Sequence, residues 1–374
     1  MVTDHWQAPD SPVPPQYGEF ATPTPSYQGP GPGQGWAPPP KPGLIPLRPI
    51  GLGTLLGASF QVLRRNPKAT FGSGLIIQAA IMLVTVLVVG LVTLWAFDRI
   101  DSAPLDQQDA VAAGSVLIGV LSAIIPLTLT VIASALLQAI IVVEVARATL
   151  GEKQRLSALW RRAATRLWPL ALWTLLITGA LLLGIALVAG IVVLLVTIGG
   201  DAGIVAGVLV GVFGVLLLAA ASFYLYTKTS VVPSLIVLEN LSVRASVIRS
   251  WSLTRGYFWR TLGVLLLVAL IVQVISQVVS LPVSLVLGFG TVLVDPNGAF
   301  ALESSIVTVV VSLIVAIPIA AVAAVVQSAA VALIYLDLRM RKEGLDLELA
   351  RYVESAAQGF DVPDPYLVPG HSAP

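Results

Sequence analysis

Six long uncharged, apolar runs punctuate this chain, at about 72–97, 116–143, 168–198, 204–226, 262–287 and 305–336. Each exceeds the ~20 residues that a helix needs to cross a hydrocarbon core. Between them lie shorter stretches in which apolar residues recur at intervals of three and four, the period of a one-sided helix. Leu52, Leu55, Leu56, Phe60 and Leu63 form one such stripe, and Leu156, Leu159, Trp160, Ala163 and Leu167 form another. Val243, Val247 and Trp251 form a third, with Arg244, Arg249 and Arg255 around it. Such basic, amphipathic segments cannot span a bilayer but can lie along its surface. The order short helix, span, span occurs three times. The pattern predicts an all-α integral membrane protein with six transmembrane helices in three parallel repeats, each an amphipathic surface helix followed by two spans.

The breaks between runs carry turn chemistry. Asn66-Pro67 stops the first short helix. Pro126 is expected to kink the second span or mark its first turn, and Pro282 and Pro318 to bend the fifth and sixth. Residues 199–203, Gly-Gly-Asp-Ala-Gly, make so short a link that spans three and four form an antiparallel hairpin. Gly203, Gly207, Gly211 and Gly214 line one side of span four. This small-residue pattern lets helix backbones approach closely, either within the chain, the preferred reading, or in a homodimer. Asp295-Pro296-Asn297-Gly298 reads as a turn, and Leu345, Leu349 and Tyr352 or Val353 as a last short helix.

The six-span membrane domain is thus expected over residues 51–343. Residues 1–50 hold 14 of the 26 prolines and are expected to be a disordered, partly polyproline-II tail, either a docking arm for a protein partner or a solubilising segment. Residues 344–374 are expected to be a C-terminal helix and tail. With 56% hydrophobic and 11% charged residues and mean hydropathy +0.91, the composition lies outside the range of soluble domains. The first residues lack a basic region followed by an apolar run, so the first span is expected to act as the insertion signal.

Net charge is +1, but its distribution is lopsided: on these boundaries 20 of the 21 Lys and Arg residues fall on one side of the membrane and only Arg99 on the other. The positive-inside rule then places both termini and all the surface helices in the cytoplasm. A bacterial plasma membrane is the expected location, with anionic inner-leaflet lipids as partners of the basic helices. Nothing points to nucleic acid.

Candidate chemistry is sparse. There is no cysteine, and the two histidines, His5 and His371, sit near the ends, so no cofactor or metal is expected. No phosphate-binding loop or nucleophile elbow occurs. No Lys, Arg, Asp or Glu falls within the expected spans, which weighs against an ion-coupled carrier or a proton relay. Polar residues do share a face of span five: Gln273, Ser276, Gln277 and Ser280. They read as either a polar pathway or headgroup site or, preferably, interhelical hydrogen bonds. Gln78, Gln138 and Gln327 stand singly on other spans. Glu152, Glu239 and Asp337 lie beside arginines, where solvated ion pairs are expected. Asp337 and Arg341, four apart, read as one such pair, worth at most ~1 kcal/mol at a water interface.

Two motifs stand out. Pro233, Glu239-Asn240 and Arg249-Ser250-Trp251-Ser252-Leu253-Thr254-Arg255-Gly256 form the first; Tyr335-Leu336-Asp337-Leu338-Arg339 with Arg341 forms the second. Together with the segment Ile45-Pro46-Leu47-Arg48-Pro49, they resemble an actinobacterial family of multi-pass membrane proteins. That family is labelled by likeness to the membrane domain of glycerophosphoryl diester phosphodiesterases. The resemblance covers roughly residues 45–350 and implies a multi-pass protein of the cell envelope. It does not imply the phosphodiesterase reaction, which belongs to a separate soluble barrel with histidines and metal-binding carboxylates. Arg249, Trp251, Arg255, Asp337, Arg339 and Arg341 are expected to be structural. The expected function is a non-enzymatic scaffold or accessory subunit; the alternative is the membrane subunit of a transporter or lipid exporter energised by a separate protein. An interior cavity lined by the span-five glutamines would favour the alternative.

Overall fold

The computed structural model describes residues 43–104, 106–294, 301–360 and 363–367. Every regular element among them is helical. In chain order these are α1 (Leu52–Arg65), α2 (Phe71–Asp101), α3 (Gln108–Ser122), α4 (Ile124–Thr149), α5 (Leu156–Thr165) and α6 (Leu167–Ile198). They continue with α7 (Gly200–Thr229), α8 (Val232–Leu238), α9 (Val243–Thr254), α10 (Phe258–Val294), α11 (Ala301–Glu343) and α12 (Leu345–Ala357). Six helices are long and apolar enough to cross a membrane, with α3 and α4 together making the second and α7 with α8 the fourth. The protein is an integral, multi-pass membrane protein.

The breaks follow the local chemistry. α1 ends at Asn66, ahead of Pro67. Pro126 sits in the first turn of α4, where its missing N–H would have no helical partner in any case. The link between spans three and four is tighter than its composition suggested, because α7 begins at Gly200, whose φ of +54° suits glycine. The turn expected at 295–298 lies outside the described residues.

Packing is concentrated at the end of the molecule that carries the arginines. Nearly every residue of α4 from Ala135 to Thr149 is buried, as are Thr227–Val237 and most of α11 from Val325 to Met340. Further along, the spans open out. α6 buries only Leu170 and Ala171, and α7 buries only Gly203 and Gly207 before its final turn. The bare leucines and valines of these stretches would be costly in water but are at home in hydrocarbon, where each helix satisfies its own backbone.

α11 is the hub, touching α1, α2, α4 and α10. Its small residues let neighbours come close: a Cβ added to Gly74 of α2 would meet Val325 Cγ2 at 3.1 Å and Ala321 O at 3.3 Å. The glycine stripe of α7 is spent within the chain, against α6. A Cβ on Gly203 would meet Leu195 O at 2.1 Å, and Cβ atoms on Gly207 and Gly214 would meet Val196 and Val188 methyls at 2.9 Å.

The packing bears on three sequence expectations. First, the short helices rest their buried faces on protein: α1 on α11, α5 on α4, and α9 on α8 and α7. Trp160 of α5 donates its indole N–H to Ser73 Oγ of α2 at 3.1 Å. Second, α9 only half-buries the expected stripe: Val243 and Val247 pack, half-buried, against the core, and Trp251 does not. It buries Ser246, Ser250, Leu253 and Thr254, while Trp251 remains 39% exposed. Small hydroxyl residues permit close approach: Ser250 Oγ donates to Lys228 O at 2.7 Å and Thr254 Oγ1 to Ser250 O at 2.9 Å, while Ser246 Oγ has no partner among the described residues. Third, residues 43–50, assigned to a disordered tail, are folded onto the membrane domain. Leu44, Ile45, Leu47 and Ile50 are buried, and the Leu44 N–H donates to Ala148 O at 2.8 Å. Residues 1–42 lie outside the described residues.

The glycine contacts predict opposite outcomes at two positions. Gly203→Ala forces a methyl into the Leu195 carbonyl and is expected to destabilise the α6–α7 hairpin by about 1–3 kcal/mol. Gly190→Ala, in open space on α6, is expected to be neutral or to stabilise by up to ~1 kcal/mol. Thermal unfolding of the two variants in detergent checks the contrast.

Candidate functional site

The end of α11 presents two polar faces. Tyr335, Arg339 and Glu343 recur every four residues and stack on one of them. Opposite stand Glu239, which closes α8, and Arg249, on α9. Asn240 turns the chain between those helices with φ of 57°, a conformation that asparagine tolerates. The Tyr335 hydroxyl donates to Glu239 Oε1 at 2.9 Å, and Arg339 Nη1 donates to the Tyr335 hydroxyl at 2.9 Å. Arg339 Nε donates to Glu343 Oε2 at 2.9 Å, and Arg249 Nη2 reaches the same oxygen at 3.0 Å. The ring closes through the ion pair of Arg249 Nε with Glu239 Oε2 at 2.5 Å. Two carboxylates thus neutralise two guanidiniums around a buried phenol. Burial pushes the Glu239 carboxyl above its ordinary range, while Arg339 and Arg249 pull it back.

The second face belongs to Asp337 and Arg341. Asp337 Oδ1 accepts the Ile50 N–H at 2.7 Å, Arg341 Nε donates to the carboxylate at 3.0 Å, and Arg260 Nη2 pairs with Oδ2 at 3.2 Å. The Ile50 carbonyl in turn accepts from Arg260 at 2.6 Å and from Arg341 at 3.0 Å. Both backbone groups of Ile50 are therefore held, which is what pins residues 44–50. The expected helical pair of Asp337 and Arg341 is present, but it is buried and four-membered rather than a solvated pair. Glu239 is likewise buried.

A third tie fastens the other end of the chain. Arg147 of α4 pairs with Asp364 and, at 3.8 Å, with Glu152. The buried Tyr366 hydroxyl donates to Ala146 O at 2.8 Å and lies 2.6 Å from Thr149 Oγ1. Burial raises the Tyr366 phenol well above its usual range. Nothing in the sequence pattern singled out Tyr366.

Of the residues expected to form a structural motif, Arg249, Arg339, Asp337 and Arg341 lie in these networks. Trp251 stands outside them, edge-on to Tyr224 with centroids 5.9 Å apart and under the Lys228 ammonium at 5.6 Å. The Arg255 side chain is exposed; its contribution is its carbonyl, which accepts from Lys342 Nζ at 2.7 Å. The long helices also run past the expected span ends, so that Glu144, Arg147, Lys228, Asp337 and Arg339 lie within their closing turns.

The polar face of α10 builds neither of the arrangements expected of it. Gln273 and Gln277 are exposed, without hydrogen bonds among the described residues, and Ser276 Oγ donates to Val272 O of its own helix at 2.8 Å. The three single glutamines converge instead. Gln78 of α2, Ser134 and Gln138 of α4, Tyr226 of α7, and Gln327 and Ser328 of α11 line a cavity of about 210 Å³. Ser134 bonds to Val131 O of its own helix at 3.0 Å; the three amides, the Tyr226 hydroxyl and Ser328 have no hydrogen-bond partner among the described residues. An apolar crevice of about 220 Å³ between α7, α10 and α11 shares Tyr226 and Gln327 with the cavity. Gln138 lies six residues before Glu144 and Gln327 ten before Asp337, so the cavity sits about 9–15 Å deeper than the ionic layer.

Among the described residues no group of three His, Asp or Glu side chains could hold a metal ion. Comparison with protein-family models, with curated proteins and with solved structures found no match to this chain.

Breaking a buried ion pair from one side strands its partner, a loss of about 3–5 kcal/mol. Glu239→Ala and Asp337→Ala are each expected to destabilise by that order, whereas Arg255→Gln stays within about 0.5 kcal/mol. Reversing the pair, Asp337→Arg with Arg341→Asp, is not expected to rescue stability, because the new arginine would face Arg260 and the Ile50 N–H. Unfolding midpoints of the four variants in one detergent decide between buried networks and solvated pairs.

Proposed function

We propose that this integral membrane protein is a non-enzymatic scaffold or accessory subunit of a bacterial plasma membrane. The observation that supports it is the occupation of two of its three buried acids among the described residues; the third, Glu144, accepts from Asn66 Nδ2 at 3.1 Å through one oxygen and leaves the other without a partner. Glu239 and Asp337, in the setting where a catalytic acid or base would be sought, are each committed to two guanidiniums and to a phenol or a backbone N–H. Neither is free to exchange a proton with a substrate.

The same reading places the ionic layer and both termini in the cytoplasm, on the strength of the 20-to-1 basic asymmetry. Two tryptophans support a membrane boundary at that level: Trp168 and Trp259, 77% and 79% exposed, each adjoin an arginine-bearing turn. Indole rings of this kind favour the headgroup zone. Exposed Arg161, Arg162 and Arg244 on α5 and α9 would meet anionic inner-leaflet lipids there. The order of short helix and two spans, met three times, is read as a parallel repeat. Membership of the actinobacterial family rests on the motif around Glu239, Arg249, Asp337 and Arg339, and the proline-rich segment is read as a solubilising tail or an arm for a protein partner.

A second reading, the membrane subunit of a transporter or lipid exporter, is favoured by one observation, the glutamine-lined cavity. Its lining is not the face of α10 first considered but the convergence of four separate helices, α2, α4, α7 and α11.

Single cysteines can be placed freely, since the chain has none. Cysteines at Asp106 or Asn297 are expected to react with an impermeant reagent from outside intact cells, and a cysteine at Ser157 is not. The reverse pattern would overturn the orientation. Hydrolysis of a glycerophosphodiester by the purified protein, lost in a folded Asp337→Asn variant, would overturn the non-enzymatic reading.

A further inference from the structure

We infer that the glutamine cavity and its adjoining crevice form a binding site for a neutral lipid with a hydroxylated head, entered sideways from the cytoplasmic half of the bilayer. The inference deepens the lipid-handling reading by naming its ligand class. Its test reads binding alone, so a failure to transport would leave it standing.

Glutamines from three different helices line one space, and none of their amides has a partner among the described residues. In hydrocarbon an unpaired amide is costly, because no water competes for its donors and acceptors. Helices that brought Gln78, Gln138 and Gln327 together merely to pack would pair them with one another. Held apart around a space of about 210 Å³, they serve an occupant that supplies the missing hydrogen bonds. The space exceeds what one water needs.

The chemistry of the lining selects that occupant. Each amide offers both donors and an acceptor, and each hydroxyl of Tyr226 and Ser328 offers one of each, the set that complements alcohols. No cation lines the cavity, so a phosphate or carboxylate would enter without a counter-charge. The nearest basic residue along α7, Lys228, is two positions beyond Tyr226 and so on the other side of the helix. Its ammonium lies over the Trp251 and Phe258 rings at 5.6 and 5.8 Å.

The crevice supplies the other half of an amphiphile. Phe223, Leu262, Leu265, Leu266 and Ala269 line it, and it meets the polar cavity at Tyr226 and Gln327. Tyr226 is 50% exposed and Gln327 is exposed as well, so the junction opens on the bilayer. A head in the cavity with a chain along α7 and α10 fills both spaces from the membrane side.

The test uses the full chain in phosphatidylcholine nanodiscs and a diacylglycerol carrying a photoactivatable group on one acyl chain. Crosslinks are expected to concentrate on the α7 and α10 peptides containing Phe223 and Leu262–Ala269. Excess dioleoylglycerol or glucosyl-diacylglycerol should compete at least tenfold better than phosphatidylglycerol. If only the glucosylated lipid competes, the head is a sugar; if both do, the glycerol hydroxyl suffices. Gln138→Leu with Gln327→Leu should cut labelling at least tenfold while leaving the unfolding midpoint unchanged or raised, since unpaired amides are removed. Labelling spread evenly over lipid-facing helices, or equal competition by phosphatidylglycerol, would overturn the proposal. So would a marked loss of stability in the double variant, which would make the glutamines packing residues.

Discussion

Charge withdrawn from water at the edge of a membrane must be paired, and in this protein that pairing assembles the fold. Arg339 is the pivot. It is buried at the end of the hub helix, between Glu239 from one neighbour and Glu343 from its own helix, with the Tyr335 hydroxyl against it. An unpaired guanidinium there would be far costlier than the pair is favourable. The ring therefore acts less as a source of net stability than as a specification: α8, α9 and α11 fit together only when all four charged members are in place. Asp337 extends the same logic to α10 and to residues 44–50, through groups 287 positions apart in the chain. The end of the molecule that carries charge is locked, and the apolar ends of the helices are left for lipid to solvate.

The parts legible in the sequence are those set by local spacing or by bulk hydropathy. An uncharged run of some 25 residues has few alternatives to a span, and all six appear as helices. The Asp337 and Arg341 contact was readable because four residues make one helical turn. The α7 glycines could be assigned to a close helix contact because the link to α6 is too short for any arrangement but a hairpin. The ring around Tyr335 was not readable: Glu239 and Tyr335 are 96 positions apart, and no local rule brings them together. Residues 43–50 were misread because proline and glycine dominate their neighbourhood, although Ile45, Leu47 and Ile50 carry the apolar surface that packs. The face of α9 was only partly legible, for a different reason: Val243 and Val247 do pack, half-buried, but the fully buried positions are mostly small hydroxyl residues. Hydrophobic periodicity assumes that large apolar groups are the ones buried, and a helix pressed against other backbones buries its serines instead.

The polar residues inside the spans expose the limit of such reasoning most clearly. Gln273, Ser276, Gln277 and Ser280 stand at helical spacing and suggested interhelical hydrogen bonds or a polar site, yet among the described residues their side chains bond to no other helix. Gln78, Gln138 and Gln327 stand alone on their helices and looked incidental, yet they line one cavity. Spacing along one helix reports which side chains share a face. It cannot report what that face confronts, and a site among membrane helices is built from single residues on several of them.

A division of labour follows from where each kind of polar group ends up. In the ionic layer Glu239, Asp337, Arg339 and Arg341 are bound to one another or to their neighbours, whereas Glu144 keeps one carboxylate oxygen unpaired among the described residues and Arg161, Arg162 and Arg244 stand exposed outside the networks. About two turns deeper the polar groups are neutral and their hydrogen-bonding capacity is unspent. Charge placed there would have no partner, whereas amides tolerate the depth at a modest cost and keep both donors and acceptors available. The same constraint that pairs Glu239 and Asp337 with arginines thus leaves the glutamine cavity as a polar space still open, one that suits an occupant carrying hydroxyls rather than charge.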